Sequence, residues 1–199
     1  MDLTGVGRHS PSRLADADRE AGVLAPVIER EDGVSILFTK RAEHLGEHPG
    51  QMSFPGGGRE PVDADLEATA LRESHEEIGL RPEEATVVGS LDDIETVTRY
   101  IVRPFVARVP DRAYTPDERE VAEIARLPVD GLADRANYES ERRDHPEYGP
   151  IRIHFFHVDG YTVWGATAEM LVQLLELTTD WRMPRAVDRV VDPDAELPI

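Results

Sequence analysis

Short apolar runs separated by glycine- and proline-containing breaks make up most of this chain, and their spacing predicts a strand-rich fold. The first two runs, Ala21–Glu29 and Val34–Thr39, flank an Asp-Gly pair and are predicted to form a β-hairpin. The next segment, Lys40–Ser53, contains several glycine and proline breakers and is predicted to be a long loop. A loop of this length within a compact domain suggests a functional role.

The second half of the chain continues the pattern and adds six strands and two helices to the prediction. The predicted strands are Thr86–Val97, Tyr100–Val109, Glu120–Leu127, Tyr138–Asp144, Ile151–Val158 and Tyr161–Trp164, and the predicted helices are Pro128–Arg135 and Gly165–Leu177. Pro104 predicts a bulge or a sheet edge. Met1–Glu20 is expected to be loosely ordered, or helical in part from Ser10-Pro11-Ser12, and the segment after Thr178 is expected to fray.

A further helix is predicted upstream by apolar or small residues that recur every fourth position. These residues are Leu66, Ala70, Ser74 and Ile78, joined by Leu71. Gly79 follows as a helix stop. The stripe can pack on a core while the neighbouring helix face stays at the edge of a cleft.

Three acidic residues, Glu73, Glu76 and Glu77, stand beside that stripe, three and four positions apart, so their carboxylates project from one helix face. Because clustered anions repel, this spacing favours a cation among them, and oxygen ligands suit Mg²⁺ or Mn²⁺. Just upstream, Gly56–Gly58 would let the backbone approach a ligand or ion closely. An exposed, Glu-rich helix face is the alternative interpretation.

The order of elements predicts the fold class and the domain organisation. Two strands, a helix, several strands and a terminal helix are typical of an α+β protein whose helices pack on a mixed sheet. The 199 residues suit one domain. We expect that domain over residues 21–178, between an N-terminal polar segment of residues 1–20 and a C-terminal tail of residues 179–199.

Charge and composition narrow the classes of partner. Forty acidic and 22 basic residues give a formal net charge of −18, which argues against a nucleic acid or an anionic membrane as partner. Lys40 is the single lysine, a pattern that resembles proteins of salt-loving organisms, with an acidic protein from a GC-rich genome as the alternative. Without cysteine, a cleavage-site pattern or an apolar run near the ~20 residues of a membrane span, a soluble cytoplasmic protein is expected.

Three segments, taken in order, resemble one enzyme family. Arg72–Leu80, RESHEEIGL, resembles the second half of the Nudix box: Arg-Glu, an apolar residue, any residue, Glu-Glu, any residue, Gly and an apolar residue. Leu37–Gly57 resembles the extra motif of the coenzyme A diphosphatase subfamily, and Val163–Leu171 resembles the entry to its C-terminal helix. Together the resemblances cover about Ala21–Thr178.

Three positions depart from those patterns. Ala64 stands where the Nudix box usually carries Glu, with Asp63 and Asp65 on either side. Ser74 occupies a position that is aliphatic in most Nudix boxes. Gly46 stands where the subfamily motif usually has Arg, a residue that would be a natural phosphate partner.

The resemblance implies an α/β/α sandwich with a mixed β-sheet, and it implies roles for the acidic residues. Glu73 would act as general base, or as both base and metal ligand, oriented by Arg72, and Glu76 and Glu77 would be metal ligands. Glu120 would bring a later acid to the metals. Glu118 and Glu123 compete for that last role, and an ordinary salt bridge is the alternative for Glu120.

The resemblance also implies substrate contacts from the glycine run and the preceding loop. Gly58 would offer its carbonyl to a metal, whereas Gly56 and Gly57 would approach the substrate. Arg41 would bind a phosphate, with pairing to a surface acid as the alternative. The loop histidines, His44 and His48, have no assigned role.

The implied function is hydrolysis of a pyrophosphate bond, with Mg²⁺ or Mn²⁺ as cofactor. The expected substrate is coenzyme A or an acyl-CoA, cut into 3′,5′-ADP and (acyl-)4′-phosphopantetheine. NADH, ADP-ribose or another nucleotide is the alternative substrate. The sequence does not fix the oligomeric state, and a homodimer is one option. A non-catalytic nucleotide-sensing Nudix domain is an alternative of another class, although the carboxylate set in Arg72–Gly79 argues against it.

Overall fold

The computed structural model describes residues 1–15, 19–44, 50–96, 99–145, 149–192 and 195, so Gly46 and His48 lie outside the described residues. The helices are α1 (Thr4–Arg8), α2 (Leu66–Ile78), α3 (Val129–Leu132) and α4 (Gly165–Thr178). The strands are β1 (Arg19–Arg30), β2 (Gly33–Arg41), β3 (Met52–Ser53), β4 (Gly56–Gly58), β5 (Thr86–Ser90), β6 (Ile94–Glu95), β7 (Tyr100–Arg108), β8 (Val121–Pro128), β9 (Tyr138–His145), β10 (Gly149–Val158), β11 (Tyr161–Trp164) and β12 (Arg189–Val190). Across these described ranges, every helix is too short or too polar to cross a bilayer.

Strand β1 lies at the centre of an eight-stranded mixed sheet. It pairs in parallel with β7 and antiparallel with β2 and β4. Strand β2 also pairs with β3 and β8, and β7 with β5 and β6, all antiparallel. The predicted first hairpin is confirmed, with Arg30 opposite Gly33 across its turn.

Both faces of this sheet are covered, which explains why its strands are nearly continuous apolar runs. On one face, Leu24 and Ile28 of β1 pack with Leu66 and Ala70 of α2. On the other, Ala25 and its neighbours join α1, α4 and a second sheet in the larger core. The α+β fold with a mixed sheet, and with helices on both of its faces, is therefore confirmed.

The second sheet holds the C-terminal segment in place. Its strand order is β11-β10-β9-β12, and the antiparallel β9–β10 hairpin was predicted. Trp181 is buried, with its ring centroid 5.2 Å from that of Tyr138 and 5.9 Å from that of Phe156. Strand β12 pairs in parallel with β9. The expectation of a frayed tail is therefore wrong for residues 179–192, because this segment supplies core surface.

The N-terminal segment also packs on the domain. Leu3 and Val6 are each 1 % exposed and belong to the larger core. The backbone of Gly5 lies so close to α4 that a Cβ there would be 1.9 Å from the Leu177 carbonyl oxygen. No helix starts at Ser10-Pro11-Ser12, contrary to expectation, because α1 ends upstream and the Ser12 N–H donates to Asp92 at 2.8 Å.

Pro104 does not mark a sheet edge, because β7 is paired on both sides. In the parallel ladder with β1, Pro104 lies opposite Val23. On the other side it falls between the stretches of β7 paired by β5 and β6. A residue without an N–H is tolerated at this interruption of the ladder.

Candidate active site

Helix α2 ends at the predicted glycine, and an acidic residue caps its start. Asp65 caps its N-terminus by accepting the Ala68 N–H at 2.9 Å, and Gly79 ends it in the left-handed conformation at φ 67°. The predicted stripe is confirmed, since Leu66, Ala70, Ser74 and Ile78 are buried. Ser74 is tolerated there because its hydroxyl donates to the Ala70 carbonyl at 2.7 Å.

Strand β4 brings three successive glycines against the charged face of α2. A Cβ on Gly57 would lie 2.5 Å from the Glu73 carboxyl carbon, so the absent side chain gives this carboxylate its place. The Gly56 N–H donates to Glu77 Oε2 at 3.1 Å, and the Gly58 carbonyl accepts from Arg72 Nη2 at 3.1 Å. Each glycine therefore meets one charged residue of the helix.

Arg72 connects the acidic residues on the charged face of α2. It pairs bidentately with the buried Asp63, from Nε to Oδ1 at 2.9 Å and from Nη2 to Oδ2 at 3.0 Å. Its Nη1 lies 3.0 Å from Glu73 Oε1 and 3.1 Å from Glu76 Oε2. The expected orientation of Glu73 by Arg72 matches this contact, and Arg72 is itself held by an acid from outside the helix.

Asp63 is a site residue for which the sequence predicted no role. It also accepts the Thr69 hydroxyl at 3.0 Å and the Glu60 N–H at 2.9 Å. These bonds, with Arg72 foremost, hold the pKa of the Asp63 carboxyl well below its usual range. The signal was its position next to Ala64, where the box usually carries its first acid.

Glu73 and Glu77 are carboxylates held partly out of water. Burial raises the pKa of Glu77 to about 8, with the charges of Glu73 and Glu120 adding to the rise. Burial likewise raises the pKa of Glu73, against the opposing charge of Arg72. A carboxylate in such surroundings gains from a neighbouring cation, because desolvation disfavours its isolated charge.

Glu120 reaches this group through the loop that precedes β8. The loop is tied to the end of α2 by the Asp117 N–H, which donates to the Glu77 carbonyl at 2.9 Å. Glu120 is then close enough for its charge to affect Glu73 and Glu77. Its competitor Glu123 instead accepts a hydrogen bond from the Tyr161 hydroxyl.

Arg41 lies on the same side, at the end of β2. The Ala42 N–H donates to the Glu120 carbonyl at 2.8 Å, which joins this strand end to the loop. The positive charge of Arg41 reaches Glu77, where it counteracts the rise in pKa. His44 is exposed beyond it. The structure thus brings the predicted phosphate-binding arginine to the predicted carboxylates.

The carboxylate and carbonyl oxygens of this site are of the type that binds a hard divalent cation, although they do not form a complete coordination site by themselves. Within the described ranges of the chain, no three acidic or histidine side chains converge as a metal-binding cluster. Glu76 is 56 % exposed and bonds to Arg72, whereas Glu73 and Glu77 face β4. Carboxylates repel one another until a cation joins them, and these oxygen donors are the type that Mg²⁺ and Mn²⁺ prefer.

Comparisons with known proteins identify the family to which the chain is similar. The sequence profile of the NUDIX domain matches residues 18–147. The chain is 38% identical over 160 residues to the "Uncharacterized Nudix hydrolase NudL" of Enterobacter sp. (strain 638), covering 78% of this chain and 81% of the relative. The protein of the same name from Cronobacter sakazakii is 36% identical over 171 residues, covering 84% of this chain and 86% of the relative.

Solved structures agree on the fold. A MutT/nudix family protein from Enterococcus faecalis superposes with a TM-score of 0.54 at 13% sequence identity. The match covers 87% of this chain and 66% of that structure. At this identity the likeness concerns the arrangement of helices and strands.

Proposed function

This chain belongs to the Nudix hydrolase family, and we propose that it cleaves the pyrophosphate bond of a nucleoside diphosphate derivative with a divalent metal. The preferred substrate in this proposal is coenzyme A or an acyl-CoA, cut into 3′,5′-ADP and (acyl-)4′-phosphopantetheine. The observation that carries the proposal is that Glu73 and Glu77 face the glycine strand β4, while backbone hydrogen bonds join the loop of Glu120 to the end of α2 and to the end of β2 next to Arg41. Carboxylates beside a cation suit a metal-bound diphosphate better than a neutral ligand.

Each residue near the helix has a distinct task in this proposal. Glu73 and Glu77 would hold the metal, joined by Glu76 and by the Gly58 carbonyl, which has a second lone pair beside the one that Arg72 uses. When bound there, Mg²⁺ or Mn²⁺ would supply positive charge for the phosphate oxygens and lower the pKa of water. Glu120 adds a negative charge from the facing loop.

The proton and phosphate steps fall to three side chains. A carboxylate oxygen of Glu73 accepts the proton of the attacking water, a general-base role open to the carboxylate that lies against Gly57. Arg72 holds that carboxylate in place through its 3.0 Å contact. Arg41 offers its guanidinium to a phosphate oxygen of the bound substrate.

The coenzyme A assignment rests on the resemblance of two distant segments, and their contact in the fold supports it. Strand β3, in the loop motif, contacts β11, in the C-terminal motif. A Cβ on Gly165, at the start of α4, would lie 3.6 Å from the side-chain amide nitrogen of Gln51. Two motifs joined in this way can form one wall beside Arg41.

A substrate panel tests this proposal. Coenzyme A, NADH, ADP-ribose and nucleoside triphosphates are incubated with Mg²⁺ or Mn²⁺, and products are identified by mass. We expect the highest kcat/KM for coenzyme A. Arg41→Ala should raise KM more than it lowers kcat, whereas Arg81→Ala, at a 61 % exposed side chain, should leave both unchanged. A preference for ADP-ribose would replace coenzyme A as the substrate.

A further inference from the structure

A cavity of about 420 Å³ opens where β1 and β7 begin, next to the glycine strand. Arg19, Arg59, Tyr100, Gly58 and Asp63 are among the residues that line it. Its volume lies within the range of small-molecule sites. The proposed chemistry uses none of its three larger side chains, Arg19, Arg59 and Tyr100.

The wall of the cavity carries a stacked cation and ring. Arg19 and Tyr100 are direct partners in the parallel β1–β7 ladder, and the guanidinium carbon of Arg19 lies 5.2 Å from the Tyr100 ring centroid. Among the residues that the structure describes, no carboxylate pairs with Arg19. Its planar group is therefore open to a second planar partner, unlike Arg59, which is bonded to Glu20 at 3.0 Å.

The cavity is continuous with the carboxylate group through strand β4. Gly56 contacts Glu77, Gly57 contacts Glu73, and Gly58 contacts Arg72 while also lining the cavity. Two residues of extended strand span about 7 Å. A diphosphate at the carboxylates would thus have its attached nucleoside within reach of the cavity.

We propose that this cavity binds the base of the nucleoside diphosphate, stacked on the Arg19 guanidinium and the Tyr100 ring. The inference rests on the proposed function and adds the recognition of the nucleoside half of the substrate. Guanidinium and aromatic planes both suit the π-face of a base, with little dependence on which base it is. Arg19 also supplies positive charge to a cavity that Glu20, Glu60 and Asp63 line as well.

Direct binding tests the cavity without relying on turnover. The full chain, with Mg²⁺ present, is titrated with ADP and, separately, with pyrophosphate, each as its non-hydrolysable methylene analogue. Because the guanidinium plane would stack on the base, Arg19→Ala should weaken ADP binding about tenfold, which corresponds to about 1.4 kcal/mol, and should leave pyrophosphate binding unchanged. The matched control is Arg108→Ala, at the other end of β7, which should change neither Kd.

A second pair of variants tests the contribution of the Tyr100 ring to ADP binding. Tyr100→Phe keeps the aromatic face and should retain ADP affinity, whereas Tyr100→Leu should lose it to a similar degree as Arg19→Ala. Equal ADP affinity in Arg19→Ala and Arg108→Ala would overturn the inference, as would a parental chain that does not bind ADP. The thermal midpoint of each variant checks the fold.

Kinetics separate this inference from the proposed function. If the chain hydrolyses the preferred substrate and Arg19→Ala does not change KM, the proposed function stands and the cavity has no part in substrate binding. If ADP binding depends on Arg19 but the chain hydrolyses no substrate of the panel, the cavity binds a nucleotide and the proposed function is wrong.

Discussion

The carboxylate of Asp63 accepts two hydrogen bonds from the guanidinium of Arg72, 2.9 and 3.0 Å long, and the same guanidinium contacts Glu73 at 3.0 Å. The side chain of Asp63 is 3 % exposed, so water cannot replace it as the partner of Arg72. Asp63 therefore determines where Arg72, and through it the Glu73 carboxylate, can lie. We therefore expect activity to depend on Asp63 as a residue that positions Arg72 and Glu73.

Asp63→Asn should lower kcat by about 10²-fold with a smaller change in KM, because Glu73 loses its fixed position as general base. Asp63→Glu should restore part of kcat, and the loss should be accompanied by a shift of the pH profile of kcat. Asp111→Asn, which removes the exposed partner of Arg30, is the control for loss of an ion pair. An unchanged pH profile with a merely lower thermal midpoint would make Asp63 a structural residue only.

Glu73→Gln, Glu76→Gln and Glu77→Gln should each reduce turnover, by roughly 10²–10⁴-fold where a general base or its metal is lost. Glu76, which is more exposed and bound to Arg72, should give the smallest loss. Glu67→Gln, in the first turn of the same helix, should keep full activity. Excess EDTA should abolish turnover and Mg²⁺ or Mn²⁺ should restore it; activity that persists in EDTA would contradict the metal mechanism.

Substitution of the three late acids should identify the one that serves the site. Glu120→Gln should lower kcat, because its charge reaches both Glu73 and Glu77. Glu118→Gln should have little effect, and Glu123→Gln should mainly lower stability by removing the acceptor of the Tyr161 hydroxyl. Steady-state rates and thermal midpoints of the three variants give the answer, and a kcat loss confined to Glu118→Gln or Glu123→Gln would remove Glu120 from the site.

His154 should make the fold sensitive to mild acid. Burial, with a smaller effect of the positive charge of Arg152, lowers the pKa of His154 to about 4 from the ordinary 6.5, and its Nδ1 lies 2.8 Å from the Tyr138 hydroxyl. As pH falls below 6.5, the unfolded chain binds a proton that the folded chain refuses, so stability falls with pH. The free energy of unfolding should drop by about 2 kcal/mol between pH 7.5 and pH 5 from this group.

Urea unfolding at the two pH values measures that effect. His154→Gln should remove most of the difference, because glutamine does not titrate. His157→Gln, on the same strand and 40 % exposed, should leave the difference in place. Identical pH dependence in the parent and in His154→Gln would show that other groups cause it.

Salt should stabilise the fold. With 40 acidic and 22 basic residues, self-repulsion works against the compact state when screening is weak. The screening length falls from about 30 Å at ~0.01 M to about 3 Å at ~1 M salt, so the thermal midpoint should rise with KCl at fixed Mg²⁺. A further rise in multimolar KCl, absent in tetramethylammonium chloride at equal ionic strength, would indicate specific cation binding. A flat or falling midpoint would remove the halophilic interpretation.

Much of the fold could be predicted because the signals are local. The Asp32-Gly33 turn and the Gly79 stop act on neighbouring backbone groups, so the first hairpin and the end of α2 were predicted closely. The position of Glu73, Glu76 and Glu77 on one helix followed from periodicity alone. Packing of α1 and of the Trp181 segment could not be predicted, because a few apolar residues among polar ones do not reveal which core they join.

The site needed the tertiary structure wherever two distant segments share one contact. Sequence indicated that glycines at 56–58 allow close approach, but only the pairing of β4 with β1 decided that Gly57 meets Glu73 and Gly58 meets Arg72. Sequence likewise left three acids for the late position, and only the tertiary structure brings the loop before β8 to the end of α2, through the Asp117–Glu77 backbone bond. Helical spacing places side chains within one turn, whereas a contact across tens of residues depends on how the whole sheet is paired.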